Sequence, residues 1–380
     1  MLKRKLITLL GAISVCATPM VALSCNDTNS KTEYILQLQA PYGNPEQIKQ
    51  ELTQYLNNFL AQKGSNKTVK INFVDGDDYS QVKDSLDKNE IDFGMVSSGS
   101  IAQYKTDVQN KKLHIVMQTL TKQFEGEQAN AWYKNDQGIE LQNIATKEQE
   151  LYDKYPRNQW NNENNPLGWN GSIYQAFYND NLVNHQRGLF VIVATPTITE
   201  QIRKAWNEKD LKKFISFGLG VGSIKSGSKY LLPQALMQKQ FGEQFKSFRD
   251  LTAKYPNNIS NTEIKKLNDV KTENIHIFMA NEGFYAYSKV KEPDKYTPTG
   301  YREGQKLSFL TLTDPLPYNV GIASDKMDLA DAKIIVDAFS KLAQENKDPW
   351  GPLHGFNGYK YIDNVDTEFW QKVYEALNIK

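Results

Sequence analysis

The chain has 380 residues, 45 Lys and Arg against 44 Asp and Glu, and a hydrophobic fraction of 39%. That length and apolar content allow two ordinary domains around large buried cores and exclude a disordered chain. The near-neutral balance provides no electrostatic footprint for nucleic acid, so no nucleic-acid partner is expected.

The first residues, MLKRKLITLLGAISVCATPMVALSC, join a basic start (Lys3, Arg4, Lys5) to an apolar run from Leu6 and small residues before Cys25. This is the pattern of a secretory signal peptide over residues 1–24, too short and interrupted for a durable transmembrane helix. Ala22-Leu23-Ser24-Cys25 has the form of a bacterial lipobox, with Ala22 where Leu is usual. The alternative is ordinary signal cleavage that leaves a free Cys25 thiol. If Cys25 is acylated, residues 25–32 form a lipidated tether, and Cys16 leaves with the signal. The mature protein then has neither a free thiol nor a disulfide. Loss of the three basic residues turns a net charge of +1 into −2. The expected location is the extracytoplasmic face of the cell membrane, held by acyl chains.

Beyond the tether, period-2 and period-3.6 patterns alternate. Tyr34 to Ala40 reads as a strand, followed by helical spacing (Ile48, Leu52, Leu56, Phe59, Leu60) that stops at Gly64. A strand over 68–74, a helix over 79–86, a strand over 91–97, a helix from Ile101 and a strand over 113–120 follow. Residues 121–187 are polar, rich in Asn and Gln, and break the rhythm. It resumes with a strand over 188–194, one helix over 199–217, a strand over 218–222 and a helix from Ser228. A strand over 274–280, a helix from Asn281, strands over 309–314 and 318–324, and helices at 327–346 and 366–377 complete the chain. Such alternation predicts an α/β fold with mixed, mostly parallel sheets and helices on both faces. Two lobes fit the length: lobe I from 33–119 and 318–380, lobe II from 120–317.

In open α/β sheets, ligands bind beyond the carboxyl ends of strands. Five strand ends carry chemistry here: Tyr42 and its neighbours, Ser97-Ser98-Gly99-Ser100, Ser223 to Ser228, Asn281-Glu282-Gly283, and Asp314 to Asn319. The Ser/Gly stretches at Ser97 to Ser100 and Ser226-Gly227-Ser228 each precede a helix start, whose unpaired N–H groups favour an anion. Each stretch alone also reads as a plain turn or linker; two on one rim favour anion binding. Glu282 and Asp314 can face a cation or amine, or merely support a first helical turn. Tyr42, Trp169, Tyr174 and Tyr318 can enclose a flat ring, and Asn170 lies in the same aromatic–amide run, GWNGSIYQAFY. The chain lacks a phosphate-binding GxxxxGK[ST] motif, a Cys/His set at metal-ligand spacing and a G-x-S-x-G nucleophile context, so no catalytic cofactor is expected.

The segments LSC, WNGSIYQAFY, IRKAWNEKDLKKFISFG, SGSK, PLPYNVG and WGPLHGFNGYKYIDNVD together resemble the mollicute high-affinity transport system lipoproteins, also described as extracytoplasmic thiamine-binding lipoproteins. The resemblance implies a two-lobed periplasmic-binding-protein-like fold of type 2, with a hinged inter-lobe cleft, related to phosphonate-binding proteins. It implies a monomeric substrate-binding protein of an ABC importer, not an enzyme, whose partners are a permease and its ATPase subunits. The implied ligand is thiamine pyrophosphate or a related thiamine form, with or without a divalent cation. Ser226, Gly227 and Ser228 would grip the phosphates, and Glu282 and Asp314 the amine or cation. The alternatives are a phosphonate or other phosphorylated small molecule as ligand, or a surface lipoprotein for adhesion and host interaction.

Overall fold

A computed structural model describes residues 31–41, 44–75, 80–101, 105–128, 130–154, 177–264, 272–285 and 303–379. Its strands are, in order, β1 (Glu33–Gln39), β2 (Thr68–Val74), β3 (Phe93–Val96), β4 (Leu113–Phe124), β5 (Tyr178–Val183), β6 (His185–Gln186) and β7 (Gly188–Ala194). They continue with β8 (Leu219–Val221), β9 (Ile259–Asn261), β10 (Ile277–Asn281), β11 (Lys306–Leu312), β12 (Leu316–Pro317), β13 (Val320–Ser324) and β14 (Gly358–Tyr361).

These strands form two main sheets. The first runs β14-β4-β13-β3-β1-β2, with β5 paired to the far end of β4; the second runs β11-β7-β10-β8-β9. A short β6–β12 ladder joins the segments that connect them. The strand β7, GLFVIVA, is buried at all seven positions, as a central strand covered on both faces must be. The expectation of mostly parallel sheets is corrected. Although β1 pairs in parallel with β2 and β3, and β8 with β9 and β10, the remaining ladders are antiparallel. The reason is the crossing path. Strand β13 re-enters the first sheet from the other lobe and inserts antiparallel between β3 and β4, and β7 enters the second sheet antiparallel to β10 and β11.

Each lobe has its own core. In lobe II, Trp206 packs its ring against Phe190, Phe214 and Phe241 at centroid distances of 5.3, 5.2 and 5.5 Å. In lobe I, the helices Pro45–Gln62 and Leu329–Gln344 cover one face of the sheet through Leu52, Leu56, Val336 and Phe339. Phe369 and Trp370, at the start of the last helix, belong to a second cluster with Val96, Val320 and Ile322. The 12-residue strand β4 pairs with β13 and β14 through residues 113–120, then with β5 through Thr121, Lys122 and Phe124. The lobe boundary expected at 119/120 therefore falls inside a strand, and the return expected at 317/318 directly follows β12.

Three elements differ from expectation. The polar stretch 121–187 holds a 16-residue helix, Ile139–Lys154, whose buried stripe is only Leu141, Ile144, Ala145 and Glu148. The helix expected over 199–217 is two, Pro196–Asn207 and Leu211–Ile215. Lys209 takes a positive φ of 57° between them, and the Asp210 side chain restarts the helix by accepting from the Lys213 N–H at 2.9 Å. Asn281 ends β10 rather than starting a helix; the chain turns after it, with Gly283 at φ 63°.

Candidate functional site

Two helix starts meet at the seam between the lobes. One is the turn Ser98–Ile101 after β3; the other is the π-helical turn Gly227–Leu231, continuous with the helix Leu232–Phe241 after β8. A methyl group on Gly99 would lie 3.1 Å from the Gly227 Cα and 3.1 Å from Leu231 Cδ1. A side chain at residue 99 crowds this approach, whereas a Cβ on Gly227 would sit 4.0 Å from the Gly99 Cα, in ordinary contact. Ser97 Oγ lies 2.8 Å from Ser100 Oγ and accepts from the Ser100 N–H at 3.3 Å, while Ser98 Oγ donates to the Tyr318 carbonyl. Across the seam, Ser226 Oγ caps its helix by accepting from the Lys229 N–H at 3.2 Å. Ser228 Oγ donates to Asn281 Oδ1 at 2.5 Å. The N–H groups of Ser98, Gly99, Gly227 and Ser228 take no partner among the described residues. Sequence reasoning placed both clusters on one rim, and the structure puts them face to face.

Immediately behind this seam lies a buried charged group. Arg187, 1% exposed, donates from Nε and Nη2 to the Glu127 carboxylate at 3.0 and 2.8 Å. It also donates to the carbonyls of Gln128, Ala131 and Thr313. His185 Nε2 reaches Glu127 Oε1 at 3.3 Å. Burial opposes ionisation of Glu127, but the His185 hydrogen bond and the Arg187 charge outweigh it and hold the carboxyl well below the usual carboxylate range. Glu148, reaching in from the helix Ile139–Lys154, accepts from the Gly283 N–H at 2.8 Å. Its burial, reinforced by the charge on Glu127, pushes its carboxyl up to about 8. Glu282 is only half-buried as a residue, yet its Oε1 is fully enclosed. Burial, then the charges of Glu127 and Glu148, raise this carboxyl well above its ordinary value.

Glu148 has a testable signature. Its folded value near 8 exceeds the unfolded value near 4.5, so the unfolded chain gives up this proton first. Its contribution therefore turns increasingly unfavourable as pH rises from 4.5 to 8 and levels off above that. Glu148→Gln keeps the acceptor for Gly283 and removes the titration. The stability difference between variant and wild type should shift in favour of the variant with rising pH, by at most about 1.4 kcal/mol per unit. Urea unfolding at pH 5, 7 and 9 reads this directly; a constant difference would contradict it.

The remaining expected residues divide. Tyr318 sits at the seam, its N–H donating to the Asn184 carbonyl at 2.8 Å and its ring edge-on to Phe356. Asp314 turns away: its carboxylate accepts from the Tyr133 N–H at 2.6 Å and from Lys239 Nζ at 2.5 Å. It borders a separate cavity of about 230 Å³ against the last helix, where Lys239 also donates to the Glu375 carbonyl. Tyr42, Trp169, Asn170, Tyr174 and the anchor position Cys25 lie outside the described residues. Sequence reasoning missed Glu127, Glu148, His185 and Arg187. The available signal was Arg187 itself, a lone charge directly before the wholly apolar β7.

Two α/β lobes joined by crossing strands, with helix starts facing across the seam, define the periplasmic-binding-protein fold. Residues 45–378 match the family of extracytoplasmic thiamine-binding lipoproteins, and the chain belongs to that family. The high affinity transport system protein p37 of Mesomycoplasma hyorhinis is 29% identical over 87% of this chain and 83% of its own length. The p37 protein of Mycoplasma pneumoniae is 27% identical over 85% of each chain. The solved structure of Mycoplasma hyorhinis Mh-p37, described as a candidate thiamine pyrophosphate transporter, superposes with a TM-score of 0.80 at 24% identity, covering 91% of this chain and 99% of that one. The family is extracytoplasmic and serves substrate-binding transport. No helix among the described residues is long and apolar enough to cross a membrane.

Proposed function

We propose that the protein is the ligand-capturing subunit of an ABC importer. In this reading it is a monomer tethered through an acylated Cys25 and closes its lobes on thiamine pyrophosphate or a related thiamine form. The observation that carries it is the meeting of Gly99 and Gly227, which brings four N–H groups without partners among the described residues to one seam. Helix starts favour the negative charge of a phosphate through both those donors and the aligned peptide dipoles. The family's name and the description of Mh-p37 supply the thiamine part of the ligand. The role is binding without chemical turnover. Closure of two rigid lobes presents the permease and its ATPase subunits with a shape that differs between loaded and empty states.

Native mass spectrometry of residues 26–380, purified without added ligand, should show a mass increment matching thiamine pyrophosphate. An increment matching another phosphorylated molecule would move the ligand assignment. A bare protein that also ignores added thiamine compounds would favour a surface-interaction role. The phosphate site has its own test in the double variant Ser226→Ala, Ser228→Ala. Losing the helix cap costs about 1 kcal/mol of stability. Losing one charge-assisted hydrogen bond to phosphate raises Kd for thiamine pyrophosphate about tenfold or more. Calorimetric affinity equal to wild type would refute the assignment of this loop.

A further inference from the structure

Asp314 lies just past a strand end but faces away from the seam, and its surroundings bridge the two lobes. Its carboxylate holds Lys239 Nζ at 2.5 Å, and the same ammonium donates to the Glu375 carbonyl at 2.7 Å. Lys239 belongs to the helix Leu232–Phe241, which Met237 and Phe241 fix in the lobe II core. Glu375 belongs to the last helix, fixed in lobe I by Phe369, Val373 and Ala376. Two more contacts cross the same boundary. The Glu375 carboxylate pairs with Lys134, and Asn378 Nδ2 donates to Gln238 Oε1 at 3.3 Å.

This boundary is not packed as a core is. The cavity of about 230 Å³ lies in it, between Trp132 and Lys134 of lobe II and Tyr374 and Glu375 of lobe I. Close-packed interiors leave few voids larger than a water molecule, so a contact with this much empty space is one that can part and re-form. Its place in the fold says when it must part. The helix Leu232–Phe241 continues the turn Gly227–Leu231 without a break, so the glycine seam and Lys239 belong to one rod. Lys239 stands two turns beyond Leu232, about 10 Å along it and on the same face. Drawing Gly227 away from Gly99 swings this rod and lifts Lys239 off the last helix.

We infer that the last helix is a latch that holds the lobes shut from outside the cleft. Asp314 aims Lys239, and the C-terminal turn of the last helix, where the negative end of the helix dipole gathers, receives it. Lys134 and Glu375 add opposite charges from the two lobes. All three contacts belong to the shut state, so the latch sets how much of the empty protein is already shut. Apparent affinity follows that fraction, and this consequence alone rests on the reading of the seam as the ligand cleft. Asp314, expected to touch the ligand, thus acts on its affinity at a distance.

Spin-label distances in residues 26–380, which lack both Cys16 and Cys25, test the latch without any ligand. The labels go on Lys88→Cys and Lys212→Cys, exposed residues preceding β3 and β8 at the ends of those strands opposite the seam. Lys134→Glu replaces an attraction by a repulsion at a side chain that is 64% exposed, where the fold tolerates it. It should lower the shut-to-open ratio of the empty protein about three- to tenfold. Exchanging the pair, Lys134→Glu with Glu375→Lys, should restore most of the wild-type ratio. Kd for thiamine pyrophosphate should rise in the single variant by no more than the same factor. A Lys134→Glu distance distribution identical to wild type would overturn the inference, showing a pivot that opening does not disturb. So would an altered Kd with an unaltered empty distribution. Failure of thiamine pyrophosphate to bind wild type would remove the proposed ligand, while the distances in the empty protein still decide the latch.

Discussion

Gly99→Val should hold the two lobes apart and cost about two orders of magnitude in ligand affinity. The β-carbon added at this position meets the Gly227 Cα and Leu231 Cδ1, both at 3.1 Å, and valine adds two further methyl groups to that crowding. The clash is against the Gly227 backbone as well as a side-chain end, so relaxation must come from the lobes. The penalty falls on the state in which Gly99 and Gly227 meet, because the atoms the new Cβ reaches, Gly227 Cα and Leu231 Cδ1, lie across the seam. Thermal stability without ligand should therefore stay within about 1 kcal/mol of wild type. Small-angle scattering should show a larger radius of gyration that no longer shrinks when thiamine pyrophosphate is added. A variant that binds and compacts like wild type would show that the seam is not where ligand is held. Gly64 is a useful contrast: nothing lies within 4 Å of its would-be Cβ, but its φ is 85°, so Gly64→Ala carries backbone strain and no effect on closure.

The second large effect belongs to Arg187→Leu. Removing one partner of a buried ion pair leaves an uncompensated charge, which costs about 3–5 kcal/mol. Here the carbonyls of Gln128, Ala131 and Thr313 lose their donor as well. Against a total stability of about 5–15 kcal/mol, that is a large fraction of what holds the protein folded, and the melting temperature should fall well below that of wild type. Lys at this position should rescue poorly, because three donors on a point charge cannot replace a planar fork serving a carboxylate and three carbonyls. Adding Glu127→Gln to Arg187→Leu should recover part of the loss by deleting the stranded charge. Acid works in the same direction: without Arg187, Glu127 keeps mainly the His185 hydrogen bond against the burial that favours its protonation, so the deficit narrows as pH falls. Thermal melts of the single and double variants at pH 5 and 7.5 check both statements. A single variant melting like wild type at pH 7.5 would show that the pair contributes little.

Much of this architecture is written in local pattern. Thr68–Val74 and Gly188–Ala194 match their sequence-derived limits because a β-branched or wholly apolar run bounded by polar residues has one good solution. The Ser/Gly helix starts were legible for a related reason: small residues between a strand and a helical period announce a turn with unsatisfied donors. Direction was not legible. Nothing in the composition of β13 says that it enters its sheet antiparallel, since that follows from where the chain has been. The helix Ile139–Lys154 escaped because one of its four buried positions is Glu148, so its apolar stripe looks broken. The same residue explains why the acid cluster was missed. Its members come from positions 127, 148, 185, 187 and 282, and only the folded chain brings them together. Asp314 shows the reverse: its place at a strand end suggested a ligand, and its carboxylate is engaged by Lys239 and the Tyr133 N–H.

The position of β13 also bears on how the chain is born. In lobe I the order β14-β4-β13-β3 places a strand from residues 320–324 in the middle of a sheet otherwise begun by residues 33–124. A chain synthesised from its N-terminus therefore makes β3 and β4 with a vacant slot between them and two exposed edges. Lobe II has no such gap, for its five strands all come from residues 188–312. It can complete its core while lobe I still waits. The lobe that bears the beginning of the chain is thus the last to finish, and the unfilled slot is the interval in which newly made protein is most open to pairing with the wrong strand.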